Sequence, residues 1–146
     1  NTMAHQTQMN TINGVSPFLD PDSLQIKNLA ATLNTVSKAA SYTVRVTDSG
    51  TVFDTTGATG AVTFTLPTVT DADGCFYMFV NTVDQNMVIT SSPADKMVYD
   101  NDAAADSLAA STSGHKIGAA IIVVSDGANW LAWCAGNGSA AFTAAT

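Results

Sequence analysis

Residues 42–67 read YTVRVTDSGTVFDTTGATGAVTFTLP. Tyr42, Val44 and Val46 alternate with Thr43, Arg45 and Thr47, the period of two expected of a strand with one buried face. Asp48-Ser49-Gly50 is a run of turn-forming residues, and Thr51–Thr55 resumes as a second strand. Beyond the Gly-bounded loop Thr56–Gly60, Val62, Phe64 and Leu66 alternate with Thr63 and Thr65. Pro67, which has no N–H to give a ladder, closes that strand. Thr, Val, Phe and Tyr fit a pleated surface, so the stretch predicts short strands joined by tight turns.

The same pattern extends toward the C-terminus. Asp71-Ala72-Asp73-Gly74 is another turn signal, and Cys75–Val83 is apolar on both faces, which predicts a central strand. Asn86–Thr90 follows a turn at Val83-Asp84-Gln85. Lys96–Tyr99 reads as a short strand, and Asp100–Ser113, rich in Ala, Asp and Ser, as a loop or weak helical turn. Ala119–Ser125 is strongly apolar. Asp126-Gly127 then forms the strongest hairpin signal in the chain, with Asn129–Ala135 pairing back. About seven or eight antiparallel strands predict an all-β sandwich or barrel-like domain over residues 40–136. A small-residue tail, 137–146, follows, with Phe142 its only large side chain.

Residues 1–39 read differently, as an extended arm. Residues 1–13 are polar and aperiodic, and 14–21 contain Pro17 and Pro21. Ser23–Val36 spaces Leu29, Leu33 and Val36 by four and three, with Asp22 or Ser23 as N-cap, so one short helix is expected there.

Composition narrows the function classes. The 146 residues are 46% hydrophobic and only 12% charged, which argues against intrinsic disorder. No apolar run approaches the length of a membrane span. All twelve acids are Asp, set against five Lys and Arg for a net charge of −7. Such a chain lacks the clustered cations of a phosphate-backbone binder, so no nucleic-acid partner is expected. Cys75 and Cys134 match no metal-ligand or redox spacing and are expected to be buried thiols of a protein assembled in a reducing cytosol. No basic stretch followed by an apolar run opens the chain, so no secretory leader is expected in it.

Catalytic patterns are sparse. His5 lies in the arm and His115 follows a glycine; neither sits beside a recognisable nucleophile, and both read as surface histidines. Asp100, Asp102 and Asp106 form the densest acid cluster but lack the central Gly and closing Glu of a calcium loop. Asp71 and Asp73 read as turn residues rather than a glycosidase pair. No metal, cofactor or catalytic residue is expected. Trp130 and Trp133, three apart on the last strand, should point to opposite faces. They are candidates for the core and for a subunit interface, where Trp is a common anchor.

Three segments together carry a family resemblance. They are Tyr42–Phe53, Gly57–Pro67 and Ile121–Trp130, in the order strand, D-S-G, strand, G-A-x-G-x-V-x-F-x-L-P and a closing V-S-D-G-x-N-W hairpin. This order resembles a small β domain of tailed bacteriophages, found in head-decoration (cement) proteins and at fibre and spike tips. The resemblance spans residues 40–136. It implies a homotrimer without catalysis that binds the major capsid protein on the outer surface of the virion after assembly in the host cytoplasm, with no membrane or nucleic-acid partner. The arm would supply the capsid contacts through Phe18, Leu24, Ile26, Leu29 and Leu33. The competing expectations are a fibre or spike tip that binds a host receptor or glycan, and an adhesin-like carbohydrate-binding module.

Overall fold

The computed structural model describes residues 32–146. Its strands are β1 (Asn34–Ser37), β2 (Tyr42–Thr43), β3 (Thr51–Asp54), β4 (Val62–Thr68), β5 (Phe76–Val80) and β6 (Met87–Ser92) in the first half. The second half contributes β7 (Met97–Tyr99), β8 (Asp102–Ala105), β9 (Ser107–Ala110), β10 (Ala120–Ser125), β11 (Trp130–Gly136) and β12 (Phe142–Ala145). They form two sheets, a seven-stranded one ordered β1-β3-β5-β10-β11-β7-β8 and a five-stranded one ordered β12-β9-β6-β4-β2. The domain is an all-β sandwich.

The chain winds between the layers. Strands β1, β3 and β5 lie parallel in the larger sheet, and β2, β4 and β6 lie parallel in the smaller one. Each strand therefore crosses to the opposite layer and returns beside its predecessor. Parallel neighbours need a crossover of a dozen or more residues, commonly a helix; here the crossover is a strand of the other sheet. The β10–β11 hairpin then inserts between β5 and β7, with Ser125 opposite Trp130 and the four residues 126–129 as its loop. Asp126 shapes that loop: its Oδ1 accepts N–H groups from Ala128 (2.9 Å) and Asn129 (2.7 Å).

Alternation fills the space between the sheets. Phe53, Tyr77, Phe79 and Trp130 point inward from the larger sheet, and Phe64, Leu66, Met87, Ile89 and Leu108 from the smaller. Phe79 stacks on Phe53 at 5.7 Å and meets Phe64 at 4.8 Å, and Tyr77 lies 5.9 Å from Trp130. Each such buried side chain contributes roughly 1.5–3 kcal/mol.

All eight strands expected from the sequence are present, and four more join them. β1 falls where the end of the Ser23–Val36 helix was expected; the rest of that helix lies outside the described residues. Val36 pairs with Phe53 and packs on the core, a tertiary contact that outweighs its helical spacing. β8 and β9 are Ala-rich, and their strand state comes from burying Ala105, Leu108 and Ala110 rather than from propensity. β12 anchors Phe142 in the core and pairs with β9. So β1 and β12 carry the domain into stretches that read as arm (1–39) and tail (137–146).

Among the described residues, half of the ten strand pairs are parallel, against an expectation of antiparallel pairing throughout. The physical reason is that the turns at Asp48-Ser49-Gly50 and Asp71–Gly74 join strands of different layers instead of closing hairpins. At the first, the expected strand ends at Thr43 and Val46–Asp48 forms a 3-10 turn. Asp48 Oδ2 holds that turn by accepting the Arg45 N–H and the Tyr42 hydroxyl, each at 2.9 Å. Cys75 and Cys134 are both free thiols and only half-buried.

Candidate functional site

A strand that is apolar at every position has two apolar faces, and only one can point into a sandwich core. β5 and, up to its closing Ser125, β10 are such strands, FYMFV and AIIVVS. Their even-handed composition leaves Phe76, Met78, Ile122 and Val124 on the outer face of the seven-stranded sheet, and the register aligns these with similar residues on the neighbouring strands. One row runs Phe76–Val124–Leu131–Val98 across β5, β10, β11 and β7. The next runs Val52–Met78–Ile122–Trp133 across β3, β5, β10 and β11. Directly opposed residues on a sheet lie close enough for their side chains to touch. The rows therefore form one continuous apolar surface over five adjacent strands.

Three members of it stand well into solvent: Trp133 at 48% exposure, Phe76 at 46% and Leu131 at 36%. The Phe76 ring lies over Gly50, whose φ of +86° sets the corner entering β3. Neither row contains an ionisable side chain. Asp54 lies one row further along, beside Val80. Partial burial pushes the Asp54 carboxyl upward, but hydrogen bonds from Thr56 and Ser37 outweigh it and hold the group below its ordinary value.

The outer face of the five-stranded sheet is built from different residues. Thr43, Thr65, Thr90 and Ser107 form one row, and Thr63, Val88, Ala109 and Thr143 the next. It is uncharged but hydroxyl-rich, a surface that water can wet. Acids gather instead in the turns at the strand ends, among them Asp48, Asp71, Asp73 and Asp126 at one end of the sandwich.

The residues singled out from the sequence fare unequally. Phe18, Leu24, Ile26 and Leu29 lie outside the described residues. Leu33 is 65% exposed, immediately before β1. Trp130 is fully buried against Tyr77, so it is a core residue and not an interface one; Trp133 does sit on the exposed face. Opposite pointing of the pair follows from their odd spacing on β11. Phe76, Met78, Ile122, Val124 and Leu131 were not anticipated as surface residues. Their signal was the two-faced apolarity of residues 75–83 and 119–125, which also fits a strand covered on both sides.

Elsewhere, the described residues hold no group of three or more His, Cys, Asp or Glu placed to share a metal ion. Asp102 and Asp106 serve the backbone: Asp102 Oδ1 accepts the Ala104 N–H within β8 (2.9 Å), and Asp106 Oδ1 braces the β6–β7 connection by accepting the Asp95 N–H (2.7 Å). A shallow depression between Asp84, Gly114, Lys116 and Ile117 is bordered by a long Lys116–Asp84 ion pair of 3.9 Å. No protein-family model and no curated protein matches the chain.

Proposed function

We propose that the protein is a structural protein of a tailed-bacteriophage head: a decoration, or cement, protein that binds the outside of the shell as a homotrimer and stabilises it. The observation that carries this reading is the apolar outer face of the seven-stranded sheet. Soluble monomers rarely leave continuous apolar surface of this kind uncovered, and large patches mark places where proteins meet. Built on a single small sandwich, it suits a protein whose work is to be a part of an assembly. The motif order of residues 42–67 and 121–130, with its likeness to phage head and fibre domains, supplies the kind of assembly.

In this reading the domain forms the trimer, and residues 1–33 make the capsid contact through Phe18, Leu24, Ile26, Leu29 and Leu33. Polar segments that order on binding can cover large surfaces. A ligand that binds only the assembled shell stabilises that shell by mass action. No bond is made or broken and no cofactor is used.

The test is co-sedimentation with capsids of the parent phage. The full chain should pellet with them and raise their melting temperature. A chain lacking residues 1–33, which keeps β1 whole, should remain folded and stay in the supernatant. Undiminished pelleting of the shortened chain would remove the arm from the binding role, and failure of the full chain to pellet would remove the decoration role.

A further inference from the structure

We infer that the outer face of the seven-stranded sheet is covered by a second copy of this chain, with Phe76, Leu131 and Trp133 as the anchors of the contact. This rests on the assembly reading above and names the surface that performs it.

Four observations on the face select a second copy as its occupant. First, its residues are aromatic, Met and branched aliphatic with no charge, the composition of the core of a homo-oligomer contact. Second, its size fits. The five strands from β3 to β7 span about 19 Å at the usual strand spacing, and the rows cover roughly half that distance along the strands. That supplies the apolar centre of a standard contact of about 800 Å² per partner, with a polar rim around it. Third, the charge distribution permits it. Each chain carries −7, yet many of the acids sit in turns at the strand ends, so two copies can join sheet to sheet while those acids remain in water. Fourth, the opposite face is a Thr and Ser surface, so only one of the two sheet faces calls for cover.

The placement of the anchors also separates two symmetries. Phe76 is on β5 and Leu131 and Trp133 on β11, with β10 between them. A two-fold dimer sets β10 against its own mate, Ile122 and Val124 near the axis. A three-fold ring uses a heterologous contact, the β5 side of one copy against the β11 side of the next.

The experiment is native mass by light scattering at micromolar concentration, on the full chain and on Trp133→Asp and Leu131→Asp. Thr90→Asp, on the other sheet, is the control. The full chain should weigh about 45 kDa, three chains of 15.0 kDa. Each β11 variant should show a threefold drop in mass and keep a cooperative melt, and Thr90→Asp should stay assembled. Because the replaced side chains are outside the core, loss of the fold is not expected. Quenching of Trp133 fluorescence by acrylamide gives a second readout on the unmodified chain: a covered face protects it, and a free face exposes it. A mass of about 30 kDa that falls in the variants supports this inference and overturns the trimer. A trimer indifferent to both variants, with Trp133 quenched, overturns the inference and leaves the decoration reading standing. A wild-type monomer with Trp133 quenched overturns the inference, and capsid binding by that monomer would still sustain the decoration role.

Discussion

The Thr55 hydroxyl donates a 2.6 Å hydrogen bond to Asn81 Oδ1, joining the chain just past β3 to the chain just past β5 at a point with almost no solvent access. Thr55 Oγ1 also accepts the Thr82 N–H at 3.0 Å. Asn81 is fully committed: its Nδ2 donates to Gln85 O, its N–H to Ala119 O, and its carbonyl accepts the Gly118 N–H. Thr55→Val keeps the shape and leaves the buried Asn81 Oδ1 and the part-buried Thr82 N–H without their partner. It should cost about 1–3 kcal/mol, read as a lower urea midpoint at unchanged slope. Thr55→Ser should recover most of the loss; equal losses in the two variants would show that the methyl and not the hydroxyl matters.

Gly136 lies where β11 meets a bulge in its pairing with β10. A Cβ built there falls 2.5 Å from the Gly118 carbonyl oxygen and 3.2 Å from the Ala120 Cβ. The first neighbour is backbone and cannot rotate aside. Gly136→Ala should therefore destabilise by about 1–3 kcal/mol through overpacking, whereas Gly60→Ala, with open space around it, should change the melting temperature little.

Acid should weaken the domain through Asp126. Hydrogen bonds from the Asn129 and Ala128 N–H groups hold its carboxyl below the ordinary value. With the folded value lower than the unfolded one, the stabilisation is complete above the ordinary carboxylate range of about 4. It disappears as pH falls through the folded value. Asp54, lowered as well, acts in the same direction. Urea midpoints measured from neutral pH downward should fall, and Asp126→Asn should fall less steeply. A variant that tracks the native chain at every pH would remove Asp126 from this account.

Alkali acts through the tyrosines. Burial foremost, with Cys134 and Asp100 nearby, pushes the Tyr99 phenol up to about 12. Burial raises Tyr77 further still, and the hydrogen bond to Asp48 raises Tyr42. Since all three tyrosines of the chain favour the neutral phenol when folded, stability is intact below the ordinary value of about 10. It is lost as pH climbs from there through the folded values. Phenolate absorbance should rise late and together with unfolding. A phenol titrating near 10 while circular dichroism is unchanged would contradict this.

What could be read in advance divides along a physical line. Period-two alternation at Val62–Leu66 and the Asp126-Gly127 signal depend on neighbours along the chain, and both appear where expected. The pairing of β2 with β4 and of β7 with β11 depends on residues far apart, and nothing local distinguishes a turn that reverses within a sheet from one that changes layer. Ala103 and Ala104 carry almost no strand preference, so β8 was invisible. For the candidate site, Trp133 was legible because its spacing from Trp130 fixes opposite faces. Phe76 and Ile122 were not, since two-faced apolarity marks a strand that is covered twice without saying by what. An interior strand of a larger sheet stack and a strand awaiting a neighbouring molecule have the same sequence signature.

The insertion of β10 and β11 between β5 and β7 has a consequence for synthesis. When the ribosome has released residues up to 110, β5 has a free inner edge and β7 has only β8 beside it; the strip that joins them is not yet made. Those edges are apolar and open to pairing with another nascent chain. Long-range contacts of this kind slow folding, so the domain should become resistant to protease only after residue 136 has emerged. Truncations that end between residues 111 and 129 should be aggregation-prone rather than partly folded.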